Sequence, residues 1–231
     1  MQEIRKELTG WIKVRTRAGF AVLAVALAFL AGCATGGPAR NAPVEEPPPL
    51  PEGPTVTRLQ DDREGFVIRE VSGMDAASRA SFERAVALMG EGNFEQAAAL
   101  LEEVVEGAPE VTAPYIDLAL ALERLDRPEE AEQYLQLALR LFPGHPVASN
   151  EYGLLLRKAG RFAEARRIYE KALASFPEYL PAHRNLGILC DLYLDDPACA
   201  MEQYEIFNAA MPEDEQVAIW IADLRLRVVA P

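Results

Sequence analysis

A period of 34 residues constrains this chain more than any other feature of its sequence. Residues 146–179, PVASNEYGLLLRKAGRFAEARRIYEKALASFPEY, read as two short antiparallel helices. The second carries Ala165, Ile168, Tyr169, Ala172, Leu173 and Phe176 at i, i+3, i+4, i+7, i+8 and i+11, one apolar stripe at helical spacing. The stripe recurs 34 residues earlier as Ala131, Tyr134, Leu135, Ala138, Leu139 and Phe142, and earlier again as Ala97, Leu100, Leu101, Val104 and Val105. One hairpin cannot bury such a face by itself. Successive units must therefore stack.

Fixed slots within the period have identifiable physical roles. Ala97, Ala131, Ala165 and Ala200 occupy a central small slot, followed twelve residues on by Pro109, Pro143, Pro177 and Pro212. An earlier small slot holds Ala85, Ala119, Gly153 and Gly187, and a large apolar slot holds Leu101, Leu135, Tyr169 and Tyr204. Small residues let helix backbones approach, large ones fill the space beside the crossing, and proline stops the second helix. In these slots the chain resembles the tetratricopeptide (TPR) repeat, with its pattern W-x2-L-G-x2-Y, A-x3-F and P. The resemblance implies an all-α fold: a helical-hairpin solenoid of about four repeats, at 78–111, 112–145, 146–179 and 180–214, closed by a capping helix at 215–231. Three departures stand out. The leading tryptophan slot holds Ser81, Tyr115, Ser149 and His183, Arg84 replaces leucine in the first unit, and the fourth unit is one residue longer at DLYLDDPACAMEQY.

The front of the chain is organised differently. Basic residues (Arg5, Lys6, Lys13, Arg15, Arg17) precede an apolar run from Phe20 to Ala31. A run that short fits the core of a signal peptide, where a membrane-spanning helix needs about 20 residues. The run ends Leu30-Ala31-Gly32-Cys33, which resembles the lipobox of bacterial lipoproteins. That resemblance implies a signal peptide over 1–32 and acylation of Cys33 with palmitate-class chains. Ala34 in the next position resembles lipoproteins sorted to the outer membrane, facing the periplasm. Residues 34–54 hold seven prolines and no apolar periodicity. At about 3.1 Å per residue, this linker, part of a lipidated segment 33–54, would reach up to about 65 Å. Residues 55–77 read as an arm, in which GFVIREV suits either a short strand or an extended segment against the first repeat. A helix is expected from near Asp75 to about Glu91, capped by Ser72 or Asp75.

Charge excludes one class of partner. Residues 1–32 hold five of the 23 basic and two of the 36 acidic residues, leaving 18 against 34 in the remainder. Nucleic-acid binding depends on basic side chains neutralising phosphates, so it is not expected. Cys190 and Cys199 flank the enlarged turn of the fourth unit, where a disulfide would join its two helices; exported proteins sit where such bonds persist. Two buried free thiols, or a redox or metal role, are the alternatives. His145 and His183 offer no ligand cluster, so no metal is expected. At the end, Val217, Trp220, Ile221, Leu224 and Val228 share one helix face that suits a cap or a partner-binding helix.

No catalytic motif is present: the chain has no phosphate loop, H-E-x-x-H or G-x-S-x-G. An enzyme is not expected, nor a cofactor beyond the covalent lipid on Cys33. The TPR resemblance implies instead that a concave groove binds segments of other proteins. By register that groove comprises Ile116, Leu120, Glu123 and Arg124, then Asn150, Leu154, Arg157 and Lys158, then Arg184, Ile188 and Asp191. Asn150, Arg157, Lys158 and Arg184 would form a local positive cluster suited to an acidic peptide. The expected role is an adaptor or scaffold for an envelope machine such as a pilus, barrel-assembly, peptidoglycan, motility or Ton/Tol-type complex. A self-associating spacer and a thiol-responsive module are the alternatives.

Overall fold

The computed structural model describes residues 55–58, 66–69 and 73–229. The signal peptide, Cys33 and the proline-rich segment lie outside them. The chain divides into two units, residues 1–71 and 72–231. In the first, β1 (Thr55–Arg58) pairs antiparallel with β2 (Phe66–Arg69), Val56 opposite Ile68. The segment that read as strand or extended arm is thus one half of a hairpin.

The second unit is all helix. Its elements are α1 (Ala76–Glu91), α2 (Phe94–Gly107), α3 (Thr112–Arg124), α4 (Pro128–Leu141), α5 (Pro146–Lys158), α6 (Phe162–Ser175), α7 (Leu180–Leu192), α8 (Pro197–Ala210) and α9 (Glu215–Val229). Local chemistry sets their ends. Asp75 accepts a hydrogen bond from the Ser78 amide at 2.7 Å, Asp196 from Cys199 at 3.0 Å and Asp214 from Val217 at 3.0 Å, each satisfying an orphan N–H of a first turn. The turn inside each unit passes through the left-handed region at equivalent positions: Gly92, Asp126, Gly160 and Asp195. Glycine takes that conformation freely, and aspartate is among the few other residues that tolerate it.

Each even-numbered helix packs against the helices before and after it, so the units stack in chain order. The first helices also meet one another, α1 with α3, α3 with α5 and α5 with α7, and form an inner layer. The four central alanines are fully buried. At the helix crossings, Ala85 and Ala119 accompany Leu101 and Leu135, whereas Gly153 and Gly187 accompany Tyr169 and Tyr204. A Cβ added at Gly153 or Gly187 would come within 2.5 Å of the Tyr169 or Tyr204 ring. Glycine is required there because a ring occupies the methyl's place.

Cys190 and Cys199 are joined by a disulfide that ties α7 to α8. The enlarged turn between them docks on the preceding unit. Tyr193 lies 4.8 Å from the Phe162 ring, and Asp196 pairs with Arg166 at 2.9 Å. The last helix, α9, stacks on α8 where a fifth unit would begin, burying Val217, Ile221 and Leu224. Trp220 is half-buried and packs on Tyr204 at 5.5 Å, but Val228, expected on the same face, is 59% exposed. Val228 lies in the last turn of α9, beyond the buried Leu224.

Candidate interaction groove

The inner layer presents the residues that register assigns to the groove. In α3, Ile116 is buried, Leu120 and Glu123 are half-buried and Arg124 is exposed. In α5, Asn150 is buried, Leu154 and Arg157 are half-buried and Lys158 is exposed; Arg184, Ile188 and Asp191 of α7 are all half-buried. Val86, Leu120, Leu154 and Ile188 fall at the same position of successive units, a partly exposed aliphatic line with polar side chains beside it. Rigid helices hold that line at repeat spacing.

Polar contacts cross the layer from helix to helix. Lys158 of α5 pairs with Glu123 of α3 at 3.1 Å, Asn185 of α7 donates to Asn150 of α5 at 2.9 Å, and Arg227 of α9 pairs with Asp191 of α7 at 2.6 Å. Asn150 in turn donates to Glu151 at 3.0 Å. Arg124 lies over Phe94, Arg157 over Tyr193, and Arg184 between Phe207 and Trp220. The expected positive cluster is accordingly not a set of free cations. Lys158 is offset by Glu123, Asn150 is buried in an amide ladder, and the two guanidinium groups rest on aromatic rings.

Two carboxyl groups escaped sequence reasoning. Asp117 and Glu151 sit one residue after groove positions and are buried. Loss of hydration pushes both up to about 7; for Glu151 the neighbouring Glu123 adds to this, while Asn150 and Lys158 oppose it. Nothing along the sequence marks these two acids as buried; only the packing of adjacent first helices does. Three groove side chains also have a buried polar atom without a hydrogen-bond partner: Glu123 Oε1, Arg157 Nη1 and Arg184 Nε. A buried polar atom left unpaired costs about 1–3 kcal/mol.

The groove continues further than expected. Leu192 is 64% exposed at the end of α7, and Ile219 and Leu226 on α9 are 60% and 73% exposed. Ile219 and Leu226 occupy in α9 the register positions of Ile116 and Glu123 in α3. The signal was the 35-residue step from the fourth unit, which aligns α9 with the first helices. Cys190, Asp196 and Cys199 also lie together, yet the two sulfurs are bonded to each other and are not thiolates for a metal.

Family models described as tetratricopeptide repeat match residues 88–150 and 146–189. Solved structures share the fold. PilF of Pseudomonas aeruginosa is 26% identical, with a TM-score of 0.60 over 65% of this chain and 68% of that one. PilW, described as a widely conserved type IV pilus biogenesis factor, is 23% identical, with a TM-score of 0.59 over 66% and 70%. Human protein O-mannosyl-transferase TMTC2 is 32% identical over 90 residues, 38% of this chain and 11% of that protein. The chain spans about a tenth of the length of the curated relatives it matches.

Proposed function

The helical region of this chain is a tetratricopeptide-repeat solenoid, and from that premise we propose that it is a non-catalytic adaptor, lipid-anchored through Cys33, that scaffolds an envelope assembly. The observation that carries this reading is the inner layer of first helices. It offers an aliphatic line, Val86, Leu120, Leu154 and Ile188, flanked by polar side chains with unpaired buried atoms. A segment of another protein would bury its apolar side chains on that line and use its own polar groups beside it. The matches to enzymes span only about a tenth of those proteins.

The finer reading rests on sequence. The lipobox-like Leu30-Ala31-Gly32-Cys33, with Ala34 following, supports anchoring at the outer membrane on the periplasmic side, and the proline-rich segment supports a tether. Among envelope machines, pilus assembly is favoured by the likeness to PilW.

In-cell crosslinking with mass spectrometry tests the adaptor reading, comparing the native chain with Leu154→Arg, Ile188→Arg made at equal abundance. Defined envelope proteins captured by the native chain and lost from the variant are expected. An unchanged set of captured proteins would move binding off the groove, and capture of this chain alone would favour a self-associating spacer. Cys33→Ser tests the anchor separately: release from the membrane fraction is expected, and continued sedimentation with membranes refutes lipidation.

A further inference from the structure

The leading slot does the same work in the second and fourth units. Tyr115 packs on Tyr134 of α4, ring centroids 6.4 Å apart, and its hydroxyl donates to the Pro109 carbonyl at 3.0 Å. His183 meets Gln203 of α8 at 2.7 Å, and its Nε2 donates to the Pro177 carbonyl at 2.8 Å. Tyr134 and Gln203 are register equivalents, as are Pro109 and Pro177. In both units one ring fills the wedge between its own hairpin and the end of the preceding unit.

The third unit lacks that ring. Ser149 stands in the leading slot, Ile168 in the position of Tyr134 and Gln203, and Pro143 in that of Pro109 and Pro177. A serine side chain is too short to span the wedge as Tyr115 and His183 do in their units. A cleft of about 320 Å³ results, lined by Ser149, Gly144, Leu139 and Ile168. Gln136 and Tyr152 add polar atoms, and Arg140 and Lys171 stand exposed at its edge. Neither cation forms an ion pair among the described residues. Apart from Ser149, Tyr152 and Gly144, these residues belong to the second helices α4 and α6, so the cleft is separate from the groove. Its volume is at the lower end for ligand pockets.

We propose that this cleft receives a tryptophan or tyrosine flanked by acidic residues from a partner protein, supplying between units the ring that the neighbouring units carry themselves. The ring lies between Leu139 and Ile168, in the place that the Tyr115 and His183 rings take in their own units. Acidic neighbours meet Arg140 and Lys171.

The test uses the full chain in detergent with labelled Leu and Ile methyl groups, titrated with the peptide acetyl-Asp-Trp-Asp-amide. Saturable shifts at Leu139 and Ile168 are expected. They should be lost in Ser149→Tyr, which fills the wedge from within and should raise the melting temperature. Two weak surface charge contacts predict about tenfold weaker binding for acetyl-Lys-Trp-Lys-amide, and for native peptide with Arg140→Glu, Lys171→Glu. Leu154→Arg, Ile188→Arg should leave the response intact, which separates this cleft from the groove. No saturable response at millimolar peptide, an equal response to acetyl-Asp-Ala-Asp-amide, or an unchanged response in folded Ser149→Tyr overturns the proposal.

Discussion

The first two units and the last two solve the same helix crossing with different pairs of residues. Ala85 and Ala119 accompany Leu101 and Leu135, all fully buried; Gly153 and Gly187 accompany Tyr169 and Tyr204, whose rings take the space a methyl would need. The total volume at the crossing is kept while its division between two helices changes. Motif slots are therefore coupled in pairs, and a residue that is correct in one unit is wrong in the next.

The largest effect should come from breaking that pairing. Gly153→Ala and Gly187→Ala should each cost about 2–3 kcal/mol in urea unfolding, by overpacking. Alanine otherwise favours a helix by about 1 kcal/mol, so Gly90→Ala, where a Cβ meets nothing within 4 Å, is the control and should stabilise. Adding Tyr169→Leu to Gly153→Ala rebuilds the pair found at Ala119 and Leu135, and should recover at least about 1 kcal/mol in a double-mutant cycle. Additive losses would show that the crossings are not equivalent.

Next in size is the disulfide, which belongs to the fourth unit. Replacing Cys190 and Cys199 with serine should cost about 2–3 kcal/mol, because the short loop is then free in the unfolded chain. The native protein should lose the same amount in reductant, and the variant should be insensitive to it. A native melting temperature unmoved by reductant would mean the bridge adds nothing.

A third contrast concerns the position held by Asp117, Glu151 and Asn185 in successive units. The fourth unit places an amide where the second and third bury carboxyl groups. Glu151 in the folded protein stands at about 7, above its ordinary 4.5, so the folded state holds the proton more tightly than the unfolded chain. Its favourable contribution is complete below pH 4.5 and is lost as pH rises toward 7. Glu151→Gln should therefore flatten the decline of stability between pH 4.5 and 7 and stabilise by about 1–2 kcal/mol at pH 8. Denaturant midpoints across that range check it, and an unchanged slope would place Glu151 in contact with water.

The smallest effect distinguishes the two tyrosines. The Tyr169 hydroxyl is buried without a partner, so Tyr169→Phe should be neutral or stabilising by up to about 1 kcal/mol. Tyr204 donates to Asp191 at a long 3.4 Å, and Tyr204→Phe should cost less than about 0.5 kcal/mol. Equal responses would remove the distinction.

Much of this architecture was legible in one dimension. The 34-residue stripe, the central alanines and the prolines two residues beyond α2, α4, α6 and α8 fixed the unit and its stacking, because helix period and proline geometry act over a few residues. The turn of the fourth unit was recognisable as one residue longer, with a cysteine on either side, although pairing of the thiols required their approach in space. The groove positions followed from register, but their chemistry did not. Lys158 meets Glu123 across 35 residues, and Arg157 and Arg184 lie over aromatic rings of later segments, so the charge expected of the cluster was already engaged.

The sequence by itself determined the repeat, its hairpins, the order in which they stack and the face each turns inward. Tertiary structure alone decided which side chains share one space: Tyr169 with the absent methyl of Gly153, Glu151 with a dry interior, and Ser149 with the cleft that a ring fills elsewhere. The reason is physical. Periodicity is a property of neighbours along a helix, whereas volume, hydration and partner choice are properties of neighbours across helices that sequence distance does not specify.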